Sequence, residues 1–344
     1  MSVFFKSLTE NLIAVRNAAD KSQKPDSRLR PLNTLSSSVA GSDGAFLLSP
    51  VYSRELLEMA YKTAIIANKC FKSQQGGSSE VRFPQISEQS REQGSRYGGV
   101  SSAWLAERGQ IPESFGGFAM STQKLNKLGV AVNCTNELMA DFPGLDAFIQ
   151  KCISDEFATV LDTAIIRADG VGKPLGILNS PALITVEKEG GQLAGTIVLE
   201  NVLKMISRFD VRSWDNAAFF VNLNTLEQLY KLELFSGVAG SSVNNVGSSS
   251  TGLTLAGRPV IPVEQCSSVG TLGDIILADM GQYALVDRPL NQEVSIHVRF
   301  ITDESIFRFV LHVNGQPIWS SPITPMYGTA DTTVSPFVAL ATRD

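Results

Sequence analysis

The 344 residues include only two histidines, His297 and His312, and four cysteines, Cys70, Cys134, Cys152 and Cys266. A Ser-His-Asp triad needs an imidazole held between a nucleophile and a carboxylate, and a three-histidine zinc site needs one histidine more than exists here. The cysteines lie far apart with no C-x-x-C pair, which speaks against zinc or thioredoxin-like chemistry and predicts free thiols in a reducing compartment. If the two C-terminal strands pair with Phe300 facing Phe309, the two histidines lie opposite one another, yet two ligands do not make a metal site. Neither a G-x-S-x-G elbow nor an H-E-x-x-H run occurs.

The glycine-rich stretch Gly170-Val171-Gly172-Lys173-Pro174-Leu175-Gly176 invites a phosphate-binding reading. A phosphate loop needs G-x-x-x-x-G-K-[ST], so that backbone amides cradle the phosphates and the lysine reaches them. Here Lys173 is followed by proline and position 167 is arginine. The G-x-G-x-x-G dinucleotide spacing fails as well, and Pro174 interrupts it. Gly170, Gly172, Pro174 and Gly176 therefore read as a tight turn. The carboxylate pairs Asp155-Glu156 and Asp303-Glu304 lack any visible cleft, and Trp104, Trp214 and Trp319 are too scattered for a stacking platform. No cofactor, metal or catalytic residue is expected, and the chemistry points to a binding or assembly protein rather than an enzyme.

Composition agrees. Hydrophobic residues make up 43% and charged residues 18%, against roughly 25% charged in an average soluble domain. Depletion of charge is a property of subunit interfaces at their centres. The chain is long enough to bury a large core, and its apolar runs fall short of the ~20 residues that a membrane helix needs, so no membrane partner is expected. The net charge of −5 argues against tight nucleic-acid binding by the body. Residues 1–33 are different: Lys6, Arg16, Lys21, Lys24, Arg28 and Arg30 face three acids, a local +3 that leaves −8 for the rest. The N-terminus carries no secretory signal pattern.

These residues must be placed by the elements around them. Apolar residues at near-helical spacing predict an amphipathic helix over 4–19, followed by a Ser/Pro-rich linker and a helix from Ser49-Pro50 to about Asn68. From Gly76 to Pro112 two strand-like pieces, EVRFPQI and SSAWLAERGQI, flank the polar centre SEQSREQGSRYGGV. With no obvious core face, they predict a two-stranded arm projecting from the body. A long helix over 145–168 has one apolar stripe, Leu145, Phe148, Ile149, Cys152, Ile153, Phe157, Val160, Leu161, Ala164 and Ile165, with Lys151, Asp155 and Asp162 opposite. Beyond Gly170 come a helix over 199–209, a strand over 217–221, and a helix over 225–234 capped by Asn224. The low-complexity segment 236–252 predicts no regular structure. Strands are expected at 258–263 and 274–277, then two longer ones, the second with Phe307, Phe309, Leu311 and Val313 on one face.

The strings GSDGAFLLSPVYSRELLEMAYKTAIIANKC, AWLAERGQIPES and NELMADFPGLDAFIQKCISDEFATVLDTAIIRADGVGKPLGIL resemble the tailed-bacteriophage major capsid proteins. So do LAGRPVIPVEQC, GDIILADMGQYALVDR, DESIFRFVLHVNGQPI and SPFVAL, in the same order, so that the resemblance runs over residues 41–344. It implies an α+β fold shared with the herpesvirus capsid floor: an N-terminal arm (1–45), a peripheral domain with a long spine helix (46–75, 113–170 and 288–320), an extended loop (76–112) and an axial domain (171–287 and 321–344). It also implies self-assembly into hexamers and pentamers of an icosahedral head, a scaffolding protein and a portal as partners, and double-stranded DNA packaged by non-specific contact. The location would be the virion capsid, after assembly in the host bacterial cytoplasm. The extended loop would meet a neighbouring subunit through Trp104, Leu105, Glu107, Arg108, Ile111 and Pro112, with Glu107 and Arg108 able to pair across the contact. Arg16, Lys21, Lys24, Arg28 and Arg30 would suit an inward position near the genome, or equally a position beneath a neighbouring subunit. No lysine lies between Lys72 and Lys124, so the lysine-asparagine cross-link that some members form from this loop is not expected. About 40 residues precede the body, so scaffolding is expected from a separate protein or from a reduced N-terminal helix. The alternative on the same fold is the shell of a bacterial nanocompartment enclosing enzyme cargo.

Overall fold

The computed structural model describes residues 58–74, 80–86, 88–91, 98–105, 117–135, 145–230, 252–295, 304–329 and 332–344, with residues 14, 26, 30–31, 46–47, 94, 96, 110, 113, 233–235, 242–244 and 246–249. In chain order the first strands are β1 (Arg30–Pro31), β2 (Phe46–Leu47), β3 (Phe71–Gln74), β4 (Glu80–Ile86), β5 (Phe118–Lys124) and β6 (Asn126–Thr135). Helix α1 (Leu145–Arg167), β7 (Ile184–Val186), α2 (Leu199–Ser207), β8 (Ala218–Val221) and α3 (Leu226–Tyr230) follow. Then come β9 (Glu233–Phe235), β10 (Ser242–Asn244), β11 (Val246–Ser249), β12 (Gly252–Leu255), β13 (Arg258–Pro262) and β14 (Ile275–Ala278). The last are β15 (Tyr283–Asp287), β16 (Asn291–Ser295), β17 (Glu304–Pro317) and β18 (Phe337–Leu340). This mixture of helix and strand is the α+β class that the sequence predicts.

A seven-stranded mixed sheet in the order β11-β12-β13-β8-β14-β18-β7 forms the centre. Its middle strands, AFFV, IILA and FVAL, are buried at every position. Unbroken apolar runs are what a strand covered on both faces requires. Ala218 and Phe220 of β8 face one core cluster and Phe219 and Val221 the other, and β14 and β18 alternate in the same way. The first cluster continues into α1 and β17; the second is closed by Val202 and Met205 of α2 and Leu229 of α3. One core thus runs from the spine helix through to the seven-stranded sheet, with each fully buried large side chain contributing about 1.5–3 kcal/mol.

A second sheet is organised by β17. Its 14 residues alternate buried and open, with Phe307, Phe309, Leu311 and Val313 inward as their spacing predicts. β6 runs antiparallel along one side of β17, β16 and β15 share the other, and β3 lies parallel to β15. The register places Val294 opposite Phe307 and His312 opposite Lys127. The expected pairing of Phe300 with Phe309 is therefore overturned: Phe309 pairs with Gln292, His312 lies beside Arg288, whose amide donates to its carbonyl at 2.9 Å, and His297 lies outside the described residues.

The spine helix corrects its predicted stripe in two places. Ile149, Ile153, Phe157, Leu161 and Ile165 make a four-residue seam into the core. Phe148 and Cys152 stand one position earlier, about 100° round the axis, and are exposed, Phe148 by 63%. Asp162, expected on the solvent side, is buried. Its carboxylate accepts the amides of Ile65 (2.9 Å), Ile66 (3.2 Å) and Ala67 (2.8 Å). Those amides explain why the helix described over 58–63 stops short of Asn68 and yields to a 3-10 turn, Ala67–Lys69. The expected start at Ser49-Pro50 lies outside the described residues, as does most of the helix over 4–19. Of that helix, Ala14 is helical and packs on the first cluster.

Three further expectations change. The arm strand EVRFPQI pairs with Phe118–Lys124, from Glu80↔Lys124 to Ile86↔Phe118, and not with SSAWLAERGQI, whose described residues have no regular structure. The segment 236–252 is not without structure: β10 pairs β9, and β11 joins the sheet edge through β12. Ladder bonds are made by backbone groups, so serine- and glycine-rich sequence does not prevent them. The cap before α3 is Asn222, whose side chain accepts the amide of Asn224 at 3.0 Å.

Candidate subunit interface

The polar centre of the extended loop does not stand free. Ser90 bridges Thr324, with Arg91 N–H donating to Thr324 O at 2.8 Å and Thr324 N–H to Gln89 O at 3.0 Å. Ile323 in turn bridges Val334, and Ser335 bridges Phe209. Four segments distant in sequence therefore lie side by side. Arg91 closes the ring with its side chain: its guanidinium meets Glu88 at 2.7 Å and Asp210 at 3.4 Å, above the Trp319 ring at 5.9 Å. All three ionic groups are nearly buried. Burial opposes the charge on Arg91, but Glu88 and then Asp210 outweigh it and hold the pKa above its ordinary value.

Beyond this anchored stretch the loop turns outward. Gly98 and Gly99 take positive φ, and Arg96 and Val100 exchange backbone bonds at 2.8 and 2.7 Å. Trp104 is as exposed as in an open peptide (104%), and Leu105 and Val100 are exposed beside it. An indole left entirely in water forgoes the largest burial any side chain offers, and contiguous exposed apolar groups mark interaction sites. Of the residues predicted at this contact, Trp104 and Leu105 thus sit together on the surface; Glu107, Arg108, Ile111 and Pro112 lie outside the described residues. Near the anchor, Met326, Tyr327 and Val211 are exposed as well.

The turn after the spine helix is built as a closure and not as a ligand cradle. Gly170 and Gly172 take φ of 82° and 67°. At Gly176 a Cβ would lie 2.6 Å from the backbone of Ala168. Val171 N–H goes to Asp169, Leu175 N–H to Gly315 O and Gly176 N–H to Ala168 O. These three amides of the turn are thereby spent on the protein itself. Asn179 Nδ2 satisfies the last helix carbonyls, of Arg167 and Ala168, and Tyr283 donates its hydroxyl to Leu175 O at 3.0 Å.

Buried polar groups elsewhere read as fasteners. Arg343 and Asp274 form a completely buried ion pair. Arg343 also donates to Thr196 O and Ala341 O, while Asp274 accepts from the amides of Gly270 and Ile275. The last strand is so tied to the turns around Thr196 and Gly270. Tyr61 donates to Asp287 at 2.5 Å with the Lys72 ammonium over its ring. Burial pushes the thiols of Cys70, Cys134 and Cys266 upward, that of Cys266 to about 12, which keeps them protonated and poor nucleophiles. Among the described residues no group of three or more His, Cys, Asp or Glu side chains is placed to hold a metal, and no helix is long and apolar enough to cross a membrane.

Of the basic N-terminal residues, Arg16, Lys21, Lys24 and Arg28 lie outside the described residues, and Arg30 begins β1, paired with Leu47. Sequence reasoning missed Arg91, Asp210, Asp162 and the Arg343–Asp274 pair. Glu88 and Arg91, three apart, carried a faint signal; Asp210, 119 positions away from Arg91, carried none.

The model of the phage capsid family matches residues 44–328. No curated protein matches the chain in sequence. Among solved structures it is similar to the capsid of an empty GTA particle computed with C5 symmetry, with a TM-score of 0.58 and 17% identity over 82% of this chain and 90% of that one. It is similar too to a structure from Microbacterium phage Oxtober96, with a TM-score of 0.55 and 16% identity over 81% and 91% of the two chains. A third, from Mycobacterium phage Adephagia, gives a TM-score of 0.54 and 12% identity over 82% and 90%.

Proposed function

Because the chain belongs to the phage capsid family, a family of shell-forming structural proteins, we propose that it is the major capsid protein of a tailed phage, assembling into hexamers and pentamers of an icosahedral head around double-stranded DNA. The observation that carries this reading is Trp104: fully exposed, next to Leu105, at the outer reach of a loop whose base is pinned to a well-packed body. A repeated contact of that loop with the next subunit around a ring is heterologous and closes by rotation, the symmetry that capsomers use. Glu107 and Arg108 extend the contact by pairing across it, with Ile111 and Pro112 adding apolar area.

The division into an N-terminal arm (1–45), a peripheral domain (46–75, 113–170 and 288–320), an extended loop (76–112) and an axial domain (171–287 and 321–344) is part of the proposal. Two sheets, one organised by β17 and one by β8, β14 and β18, support it in outline, but β15 (Tyr283–Asp287) pairs with β17 and β3 and so goes with the peripheral sheet and not with the axial residues 171–287. A scaffolding protein and a portal are the proposed assembly partners. Arg16, Lys21, Lys24, Arg28 and Arg30 are assigned to the inner wall, where a local positive charge makes non-specific contact with phosphates. Assembly would take place in the host cytoplasm.

Expression of the chain, alone and with the neighbouring gene products, followed by size-exclusion chromatography and negative-stain electron microscopy, tests the reading. Rings, tubes or closed shells are expected. A chain that stays monomeric under both conditions would contradict it, and shells filled with an enzyme and free of nucleic acid would move the assignment to a nanocompartment.

A further inference from the structure

Among the described residues, Arg91 is a side chain that joins the extended loop to the layer containing the seven-stranded sheet, and its position points beyond general stability. Among the described residues, two attachments of the loop to the body stand out. One is the β4–β5 pair, which runs on through Leu125 into β6 and so into the β17 sheet. The other is the four-segment ladder: Ser90 with Thr324, Ile323 with Val334, and Ser335 with Phe209. Among the described residues three isolated bridges hold this ladder together, and such short pairings are weak on their own. What reinforces them is ionic: Arg91 reaches from the loop to Asp210 at 3.4 Å, next to the Phe209 bridge, while Glu88 holds the same guanidinium at 2.7 Å. Arg208 secures the far side of the ring by donating to Thr333 O at 2.6 Å and to Thr333 Oγ1 at 2.8 Å.

The planar guanidinium suits this place, since it can serve two carboxylates at once and lie above an indole, which a lysine cannot do in the same geometry. A nearly buried guanidinium with two carboxylates is also a poor source of net stability compared with apolar packing, so its value lies in fixing geometry. Past Arg91 the described residues of the loop lead from a contact with the body to open surface. Gly94 sits against Met326, the Arg96–Val100 turn follows, and Trp104 stands beyond it.

We propose that Arg91 is a positioning residue for assembly: through Glu88 and Asp210 it locks the launch direction of the extended loop to the layer of the seven-stranded sheet, so that Trp104 and Leu105 meet the next subunit within a narrow range of angles. The proposal rests on the capsid reading for its consequence in the shell, but the lock itself is a property of the single chain. A loop locked to that layer follows it when subunits tilt, and a narrow range of contact angles, kept in hexamers and pentamers alike, limits the curvature of the shell. Without the lock the loop keeps its β4–β5 root and loses its direction, so contacts still form but with varied geometry.

The test uses the full-length chain carrying Arg91→Met, with Asp210→Asn as a milder variant and Arg91→Lys as the conservative one. Amide hydrogen exchange on the unassembled fraction reads the lock directly. For Arg91→Met the amides of Arg96, Val100 and Thr324 are expected to exchange at least about tenfold faster, while those of β18 keep their protection. Asp210→Asn should give a smaller increase, and Arg91→Lys should recover part of the protection. In assembly, Arg91→Met is expected to give particles of several sizes or open sheets where the unaltered chain gives one size. Unchanged exchange in the loop would overturn the lock. Equal loss of protection in β18 would overturn it too, by making Arg91 a residue of general stability. Faster loop exchange with particles of one size would remove the role in assembly. If the unaltered chain forms no particles under any condition, the capsid reading fails while the exchange result still decides the lock.

Discussion

The strands β8, β14 and β18 and the loop around Trp104 are opposite solutions for apolar residues in one chain. The strands are covered on both faces, and every side chain in them is buried. The loop places an indole, a leucine and a valine in water. The first arrangement is complete within a single subunit; the second lowers its free energy only when something else covers it. The difference separates residues that make the subunit fold from residues that the proposed function assigns to subunit contact, and substitutions in the two regions should therefore fail differently.

The largest loss of stability is expected at the buried Arg343–Asp274 pair. Arg343→Met leaves the Asp274 charge uncompensated in the interior, a cost of about 3–5 kcal/mol. Urea unfolding of the unassembled chain should show a lower midpoint, and an unchanged midpoint would mean that the C-terminal fastening contributes nothing. Next comes Asp162→Ala. It strands the amides of Ile65, Ile66 and Ala67, each of which costs about 1–3 kcal/mol when buried and unpaired, in part recovered if water enters. A net loss of about 3 kcal/mol is expected in the same measurement, with Asp162→Asn losing less because its amide oxygen still accepts.

A smaller, pH-dependent effect is expected at Asp287. Burial pushes its carboxyl above the ordinary carboxylate range, against the Tyr61 hydrogen bond and the Lys72 charge, which pull it down. The folded chain therefore keeps this proton at pH values where the unfolded chain has lost it. Stability from this group is fully present below the ordinary carboxylate pKa and is lost as pH rises through the folded value. Asp287→Asn removes that titration, so its melting temperature relative to the unaltered chain should rise between about pH 4 and about pH 7. A constant difference across that window would mean that Asp287 titrates normally.

Much of this division was legible in the residues themselves. AFFV, IILA and FVAL have no polar position, and a strand with no polar position has no face to give to water. The β17 alternation of Phe307, Phe309, Leu311 and Val313 gave one core face directly, and the spine helix announced itself by its four-residue seam. Trp104 was legible as a residue outside the core because its surroundings offer no core pattern. What stayed hidden depends on long-range register. Arg91 sits in a polar run where it looks no different from Arg96, and only the fold brings Asp210 to it. Asp162 looked like a solvent-facing acid because nothing local says that residues 65–67 pack against that side of the helix. The histidine pairing failed for the same reason, since strand register is fixed by the whole sheet and a small slip moves every partner.

The sharpest test sets fold against assembly in a single variant. Trp104→Ala should unfold in urea within about 0.5 kcal/mol of the unaltered chain, as an exposed substitution should, and yet give far fewer particles under conditions where the unaltered chain assembles. Normal stability with lost particles is the result that the account predicts. Particles at the unaltered yield would contradict it and place the subunit contact elsewhere on the molecule.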